Sequence, residues 1–292
     1  MKVLVTGASG FIGRHTLPHL VQAGYEVHGV SYDDFLFPGV ESHRADLLDG
    51  EARRAVLNSI RPELLLHFSW YVPPGKYWTS PENVRWLIAS LALVQDFAGC
   101  GGERFVAAGT CAEYSWDPGG ICDEDLTPLT PSSLYGTCKH SLGSILPHLS
   151  TELGISSAWG RIFFPYGPHE PSARLVPSVI ASIRNGKPAL CSPGLQIRDF
   201  IYVDDAARAF VALLRSSYGG AVNIGTGEGV SIASVAQTIA DLLGRPDLLK
   251  LGALPAREGE PHTLVASTRK LTGIGFTPRW TLENALKATA GL

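Results

Sequence analysis

Val3-Leu4-Val5-Thr6-Gly7-Ala8-Ser9-Gly10-Phe11-Ile12-Gly13 is a short apolar run that breaks into a glycine-rich turn and then opens a helical pattern. An apolar run of this length suits a buried parallel strand, covered on both faces. Glycines after such a strand let the backbone turn tightly, approach a pyrophosphate and pack the helix on the sheet. The anion then sits at the positive helix N-terminus. The GxxGxxG spacing departs from the usual GxGxxG, and glycine turns also serve purely structural ends. The position directly behind a strand is what points to a dinucleotide. Gly7, Gly10, Phe11, Ile12 and Gly13 are the candidate cradle.

Outward from this stretch, short apolar runs alternate with longer helical patterns. The reading is strand 2–6, helix 11–23, strand 26–30, a helix near 51–59, strand 63–68, helix 81–98, strand 104–109, helix 133–152 and strand 156–162. Such alternation predicts an α/β fold with a Rossmann-type doubly wound parallel sheet. Pro18 and Pro147 fall inside two of the helices, where each removes a hydrogen bond and should kink or break the helix. Beyond Arg161, Phe164-Pro165-Tyr166-Gly167-Pro168 and the stretch from Leu254 to Pro261 read as loops closing over a ligand.

A second constellation gives the bound cofactor a task. Pro131-Ser132-Ser133 is a helix-start signal, so Tyr135 and Lys139 of Tyr135-Gly136-Thr137-Cys138-Lys139 stand on one helical face. A phenol titrates near pH 10, and a neighbouring ammonium favours the phenolate, which draws tyrosine toward the range of a general acid/base. Tyr and Lys four apart are common on amphipathic helices. The upstream glycine turn gives the pair its meaning here.

With these motifs the chain resembles the extended short-chain dehydrogenase/reductase family, the NAD(P)-dependent sugar-nucleotide epimerases, dehydratases and reductases. The resemblance runs nearly end to end. It rests on Thr6 to Gly13, Asp46-Leu47, the Asn83 helix, Thr110 to Tyr114, Tyr135 to Lys139, Arg161 to Pro168, Arg198 to Asp205 and Asn223-Ile224-Gly225. It implies a cofactor domain of residues 1–163 and 198–225 and a smaller substrate-binding domain of residues 164–197 and 226–292. It implies that Thr110 orients the reacting oxygen, that Tyr135 moves its proton and that Lys139 holds the ribose. Phe68, Ser69, Asp46 and Leu47 are placed along the cofactor, although Asp46 also reads as a helix cap before Glu51. Relatives dimerise through a four-helix bundle, here helices 81–98 and 133–152, so a homodimer is expected.

Two positions narrow the chemistry. After Thr110, 4,6-dehydratases of the family carry an acid and then a base for elimination, whereas this chain has Cys111 and Ala112. Fucose-synthase-like 3,5-epimerases place a cysteine at the second position with a distant His or Lys. Here the cysteine is one place early, and Arg174 stands where the histidine would be. Chemistry that needs no further acid or base remains. The main expectation is reduction of an NDP-4-keto-deoxyhexose, and the alternative is an NDP-sugar 4-epimerase with retained NAD. A non-catalytic NADP-binding sensor is a third reading, opposed by the presence of all three of Thr110, Tyr135 and Lys139.

Cofactor and substrate contacts follow the same logic. Ser31 occupies the end of the second strand, where an acid selects NAD; serine can donate to a 2'-phosphate and favours NADP, while Asp33 or Asp34 can reach back to a ribose. Arg198 and Arg257 match the family's phosphate-binding positions, and Cys111 is placed to line the sugar pocket. Phe164 replaces an asparagine that contacts the substrate phosphate in many relatives. The aromatic run from Trp70 to Trp78 reads as a stacking surface, a packed loop or a dimer face.

Composition fits such an enzyme. With 292 residues, 45% hydrophobic and 17% charged, the chain can bury a large core. A net charge of -3 gives no general attraction to nucleic acid or anionic membrane. No targeting segment or apolar run of membrane-spanning length is read, which predicts a cytoplasmic protein. Five cysteines without CxxC spacing predict thiols rather than disulfides or structural zinc. His15 and His19 are the one HxxxH pair, and no metal is expected there.

Overall fold

The computed structural model describes residues 1–116, 119–256 and 259–292. Seven strands form one sheet: β1 (Lys2–Thr6), β2 (Glu26–Ser31), β3 (Val40–Arg44), β4 (Leu64–His67), β5 (Arg104–Thr110), β6 (Ser156–Ile162) and β7 (Gly220–Ile224). Their order is β7-β6-β5-β4-β1-β2-β3, with every pairing parallel. The order reverses at β1, so the loops after β1 and β4 part and leave a crevice at the carboxyl ends of the strands, where open α/β sheets bind ligands.

Helices cover both faces. On one side α1 (Phe11–Gln22) packs against α6 (Val203–Arg215) over Val3, Val5, Leu66 and Val106. On the other side α2 (Gly50–Ile60), α3 (Glu82–Gly99) and α4 (Leu134–Glu152) cover Leu4, Leu65 and Phe105. Each fully buried aliphatic of this kind contributes about 1.5–3 kcal/mol relative to an exposed one. Between α4 and α6 in the chain lies α5 (Leu175–Arg184). With α7 (Ile232–Leu242) and α9 (Leu282–Ala290) it surrounds a third apolar cluster containing Val179, Val235, Ile239 and Leu286, and α8 (Arg269–Gly273) packs on β7.

A second sheet joins distant segments, in the order Val230–Ser231, Ile197–Arg198, Thr263–Ala266 and Gly120–Cys122. Phe164–Tyr166 pairs with Phe200–Tyr202, so the segment read as loop contains a short strand. Asp199 fixes the neighbouring turn. Its carboxylate accepts from the amides of Thr226, Gly227 and Ala266.

Two local expectations are corrected. Pro18 and Pro147 lie inside α1 and α4, and each helix runs on through its proline, so the break expected as one of two outcomes does not occur. Packing over buried Leu17 and Leu20 in α1, and Leu142 and Leu146 in α4, holds each helix through its proline. The cap of α2 is Asp49, which accepts from the amides of Glu51 and Ala52, while Asp46 accepts from Leu48 N and lies before the helix. No described helix is long and apolar enough to cross a membrane.

Candidate active site

Of the residues proposed from the sequence as catalytic, cofactor-binding or substrate-binding, all but Asp34 and Arg257 line one cavity of about 770 Å³. Gly7, Gly10, Phe11, Ile12 and Gly13 form one wall; Ser31, Asp46 and Leu47 lie toward the ends of β2 and β3; Phe68 and Ser69 follow β4. Thr110, Cys111, Tyr135, Lys139 and Arg198 line the same cavity. Arg257 lies outside the described residues.

The glycine turn is built for close approach. Gly7 has φ +65°, and a Cβ there would stand 2.9 Å from Ser69 N; a Cβ on Gly13 would stand 2.2 Å from the Gly7 carbonyl oxygen. Both positions are therefore closed to a side chain. The cap of α1 is Gly10, with no side-chain cap and no acid in the first turn. An uncapped helix start facing a cavity suits a pyrophosphate. Behind it, buried His67 contacts Thr6 Oγ1 (2.8 Å) and Ser90 Oγ (2.9 Å), and Thr6 Oγ1 accepts from the amides of Phe68 and Ser69. Burial, reinforced by Lys139, pushes His67 down to about 3, so the ring is neutral.

At the other end β5 delivers Thr110 and α4 delivers Tyr135 and Lys139. Ser133 caps α4 by accepting from Gly136 N at 3.1 Å, which starts the helix where Tyr135 and Lys139 both face inward. The Thr110 hydroxyl lies close enough to the Tyr135 phenol to favour its charged form. Lys139 Nζ donates to the Ala108 carbonyl at 2.8 Å and lies 3.9 Å from the centre of the Trp70 ring. Burial pulls its ammonium down to about 7, against the opposing pull of Glu113. Burial, then the Tyr77 phenol, push Tyr135 above the ordinary tyrosine range. The expected lowering by Lys139 is thus reversed, because desolvation penalises both charged forms before their attraction is felt.

Thr110 is held by a network that spacing alone did not reveal. Buried Glu113 accepts from the Thr110 amide (2.8 Å), the Trp159 indole (3.0 Å) and Arg161 Nε (2.8 Å). Tyr114 OH donates to Asn223 Oδ1 at 2.7 Å and accepts from Arg161 Nη1 at 3.2 Å. These residues surround the sharp turn after β5 and fix the direction of the Thr110 hydroxyl. The signal was the capping-box pattern Thr110-x-x-Glu113, which the sequence contains and the structure forms.

The aromatic run is a packed loop against the tyrosine. Tyr77 and Trp78 meet the Tyr135 ring edge-on at 4.8 and 5.7 Å, and the Trp70 indole donates to Asn83 Oδ1 at 2.8 Å. Cys111 is buried in the cavity wall, and burial raises its thiol, which keeps it protonated. Arg198 pairs with Glu260 at 3.3 Å and lies 5.4 Å from the centre of the Phe164 ring. His15 and His19 are engaged elsewhere, with the Pro168 carbonyl (2.9 Å) and Asp204 (2.7 Å).

Three charged residues in the cavity, Glu170, Arg174 and Glu260, were not picked out as ligands. Arg174 lines it beside Glu170, whose Oε2 has no hydrogen-bond partner. Burial pushes Glu170 up to about 7. Its folded-state value lies above the ordinary carboxyl range, so between about pH 4.3 and 7 the folded protein holds one more proton than the unfolded chain, and stability falls as pH rises. The loss is on the order of 3 kcal/mol by pH 8. Glu170→Gln is expected to flatten this fall in urea midpoints measured from pH 5 to 8; an unchanged slope contradicts it.

The fold and cavity define a Rossmann-type α/β protein with its ligand crevice at the sheet's switch point. The chain belongs to the NAD dependent epimerase/dehydratase family, whose model matches residues 3–225. It is 28% identical over 300 residues to a UDP-glucose 4-epimerase of Streptomyces lividans, covering 91% of this chain and 88% of that one. A UDP-glucose 4-epimerase of Thermus thermophilus, solved with NAD, superposes with a TM-score of 0.90 at 26% identity, over 100% of this chain and 98% of that one. MoeE5, solved with UDP-glucose and NAD, gives 0.88 at 30% identity and the same coverage. The protein is thus an enzyme of the NAD-dependent epimerase/dehydratase type.

Proposed function

We propose that this enzyme is an NDP-hexose 4-epimerase that retains NAD. The carrying observation is the convergence of Thr110, Tyr135 and Lys139 at one end of a cavity whose other end is an uncapped glycine-rich helix start. Its similarity to named UDP-glucose 4-epimerases favours this reading over the 4-ketoreductase that the sequence suggested first.

Gly7, Gly10, Phe11, Ile12 and Gly13 would hold the pyrophosphate of NAD, Asp46 and Leu47 the adenine end, Phe68 and Ser69 the middle, and Lys139 the second ribose. Bound NAD supplies a hydride acceptor and donor for the sugar's C4. Tyr135 takes the C4 hydroxyl proton and later returns it, while Thr110 hydrogen-bonds the same oxygen. Inversion requires the ketone to present both faces, and the apolar wall of Val72, Pro74 and Trp78 offers few polar groups to pin the sugar. Cys111 stays protonated and Ala112 carries no proton, which leaves elimination without an acid-base pair at those positions. Arg174 and Arg198 are proposed to hold the diphosphate.

NAD, rather than the NADP that Ser31 suggested, is supported by the charges around that end. Ser31 Oγ is paired with Ser9 Oγ at 2.5 Å, Asp33 and Asp46 line the cavity, and Arg44 pairs with Asp34 at 3.4 Å. Carboxylates lining that end repel a 2'-phosphate. The lack of an acid at Ser31 itself keeps the ketoreductase as the competing reading.

We further propose residues 1–163 and 198–225 as the cofactor unit and the remainder as the substrate unit. Dimerisation is proposed through α3 and α4, where Val84, Ile88 and Ile145 are exposed apolar side chains. Purified protein is expected to keep about one NAD per chain after dialysis, to interconvert UDP-glucose and UDP-galactose without added reductant, and to scatter light as two chains. A stoichiometric demand for NADPH would instead establish the reductase, and a one-chain mass would end the dimer.

A further inference from the structure

The edge of the large sheet carries a cluster unrelated to the cavity chemistry. His28 lies on β2 opposite Glu41 of β3, and His43 stands two residues further along β3. With the alternation of a strand, all three side chains project from one face. His28 Nδ1 is 3.1 Å from His43 Nε2, and Glu41 oxygens lie 3.6 Å from each of those nitrogens. All three potential ligand atoms fall within 4.8 Å of one another.

We propose that His28, His43 and Glu41 bind a divalent transition-metal ion of the zinc type, stapling edge strand β3 to β2. Metal–ligand bonds of about 2.0–2.1 Å at tetrahedral angles place neighbouring ligands about 3.3 Å apart, the middle of the observed spacings. Hydrogen bonding alone explains only the imidazole pair, because the carboxylate is beyond hydrogen-bond reach of both rings. His28 also has the outer partner that a metal-bound imidazole uses: its Nε2 lies 3.2 Å from Glu26 Oε1, which leaves Nδ1 free to ligate. Two imidazoles and one carboxylate select zinc-like ions over magnesium or calcium and leave a coordination position for water.

The placement gives the ion a structural role. β3 is the polar outermost strand, and it leads directly into Ala45, Asp46 and Leu47 of the cavity wall. The ligands come from two strands at a spacing that no short motif describes, so the sequence did not announce them.

Untagged full-length protein, freed of metal by a chelator, is the test material, titrated with Zn²⁺ in a calorimeter and with Co²⁺ in a spectrophotometer. One equivalent should bind, with the visible absorption of a low-coordinate N/O cobalt site, and Zn²⁺ should raise the melting temperature. His43→Gln and Glu41→Gln, both away from the buried core, should abolish this. Glu26→Gln should weaken binding about 10–100-fold. Absence of one-equivalent binding, retention of it in His43→Gln, or a thiolate-to-cobalt charge-transfer band would each overturn the site. None of these readouts depends on catalysis, so the result stands apart from the proposed epimerase activity.

Discussion

Tyr135→Phe is expected to lower kcat by about 10²–10⁴-fold, the usual contribution of a positioned general acid/base, while KM and the NAD content change little. The reasoning begins with geometry. The Tyr135 ring is clamped edge-on between Tyr77 and Trp78, and its backbone amide donates to the Trp78 carbonyl at 3.1 Å. None of these contacts involves the hydroxyl, so phenylalanine fills the same space. What disappears is the proton carrier and its interaction with the Thr110 hydroxyl. A loss in kcat with the cofactor retained is the signature of an interaction made only with the reacting oxygen. Thr110→Val, which removes the orienting hydroxyl at nearly constant volume, should have a smaller effect of the same kind. Turnover of Tyr135→Phe at the parental rate would refute the mechanism, and loss of NAD together with activity would show that the tyrosine serves binding.

The legibility of this molecule in its sequence follows the physics of each element. β1, β4 and β5 are buried on both faces, and their near-continuous apolar runs read directly as parallel strands. β3 reads Val40-Glu41-Ser42-His43-Arg44, a mostly polar edge strand whose only pairing is with β2, so nothing in its pattern announced it clearly. The two-residue strands Ile197–Arg198 and Val230–Ser231 exist because tertiary pairing holds them, which no local propensity encodes. The candidate site was legible where chemistry has fixed spacing, as in Gly7 to Gly13 and in Tyr135 with Lys139. Glu170 and Arg174 were not legible as a pair, since their joint placement in the cavity depends on how the segment after Tyr166 folds back past α1. The acidity of Tyr135 is not legible in the sequence for a related reason. Sequence supplies the neighbouring charge but not the depth of burial that opposes it.

Glu113→Ala is expected to cost the fold about 3–5 kcal/mol, the penalty for removing one member of a buried ion pair. Glu113 is fully buried, and the Arg161 side chain that faces it is only 6% exposed. Removing the carboxylate strands three donors at once: the Arg161 guanidinium, the Trp159 indole and the Thr110 amide. Replacement of the whole pair by apolar residues would be far milder, because the cost lies in the abandoned charge rather than in the lost attraction. Glu113→Gln separates the two effects. Its amide oxygen can still accept from Thr110 or Trp159, so it should lose less stability than alanine while still weakening the hold on Arg161. Urea unfolding should report both variants as lower midpoints at unchanged slope, with alanine the lower. The same carboxylate anchors the turn that aims Thr110 at the reacting oxygen, so kcat should fall in Glu113→Gln even at temperatures where the variant is fully folded. Equal midpoints for the parent and Glu113→Ala would mean that water reaches Arg161 and takes over the role of the carboxylate.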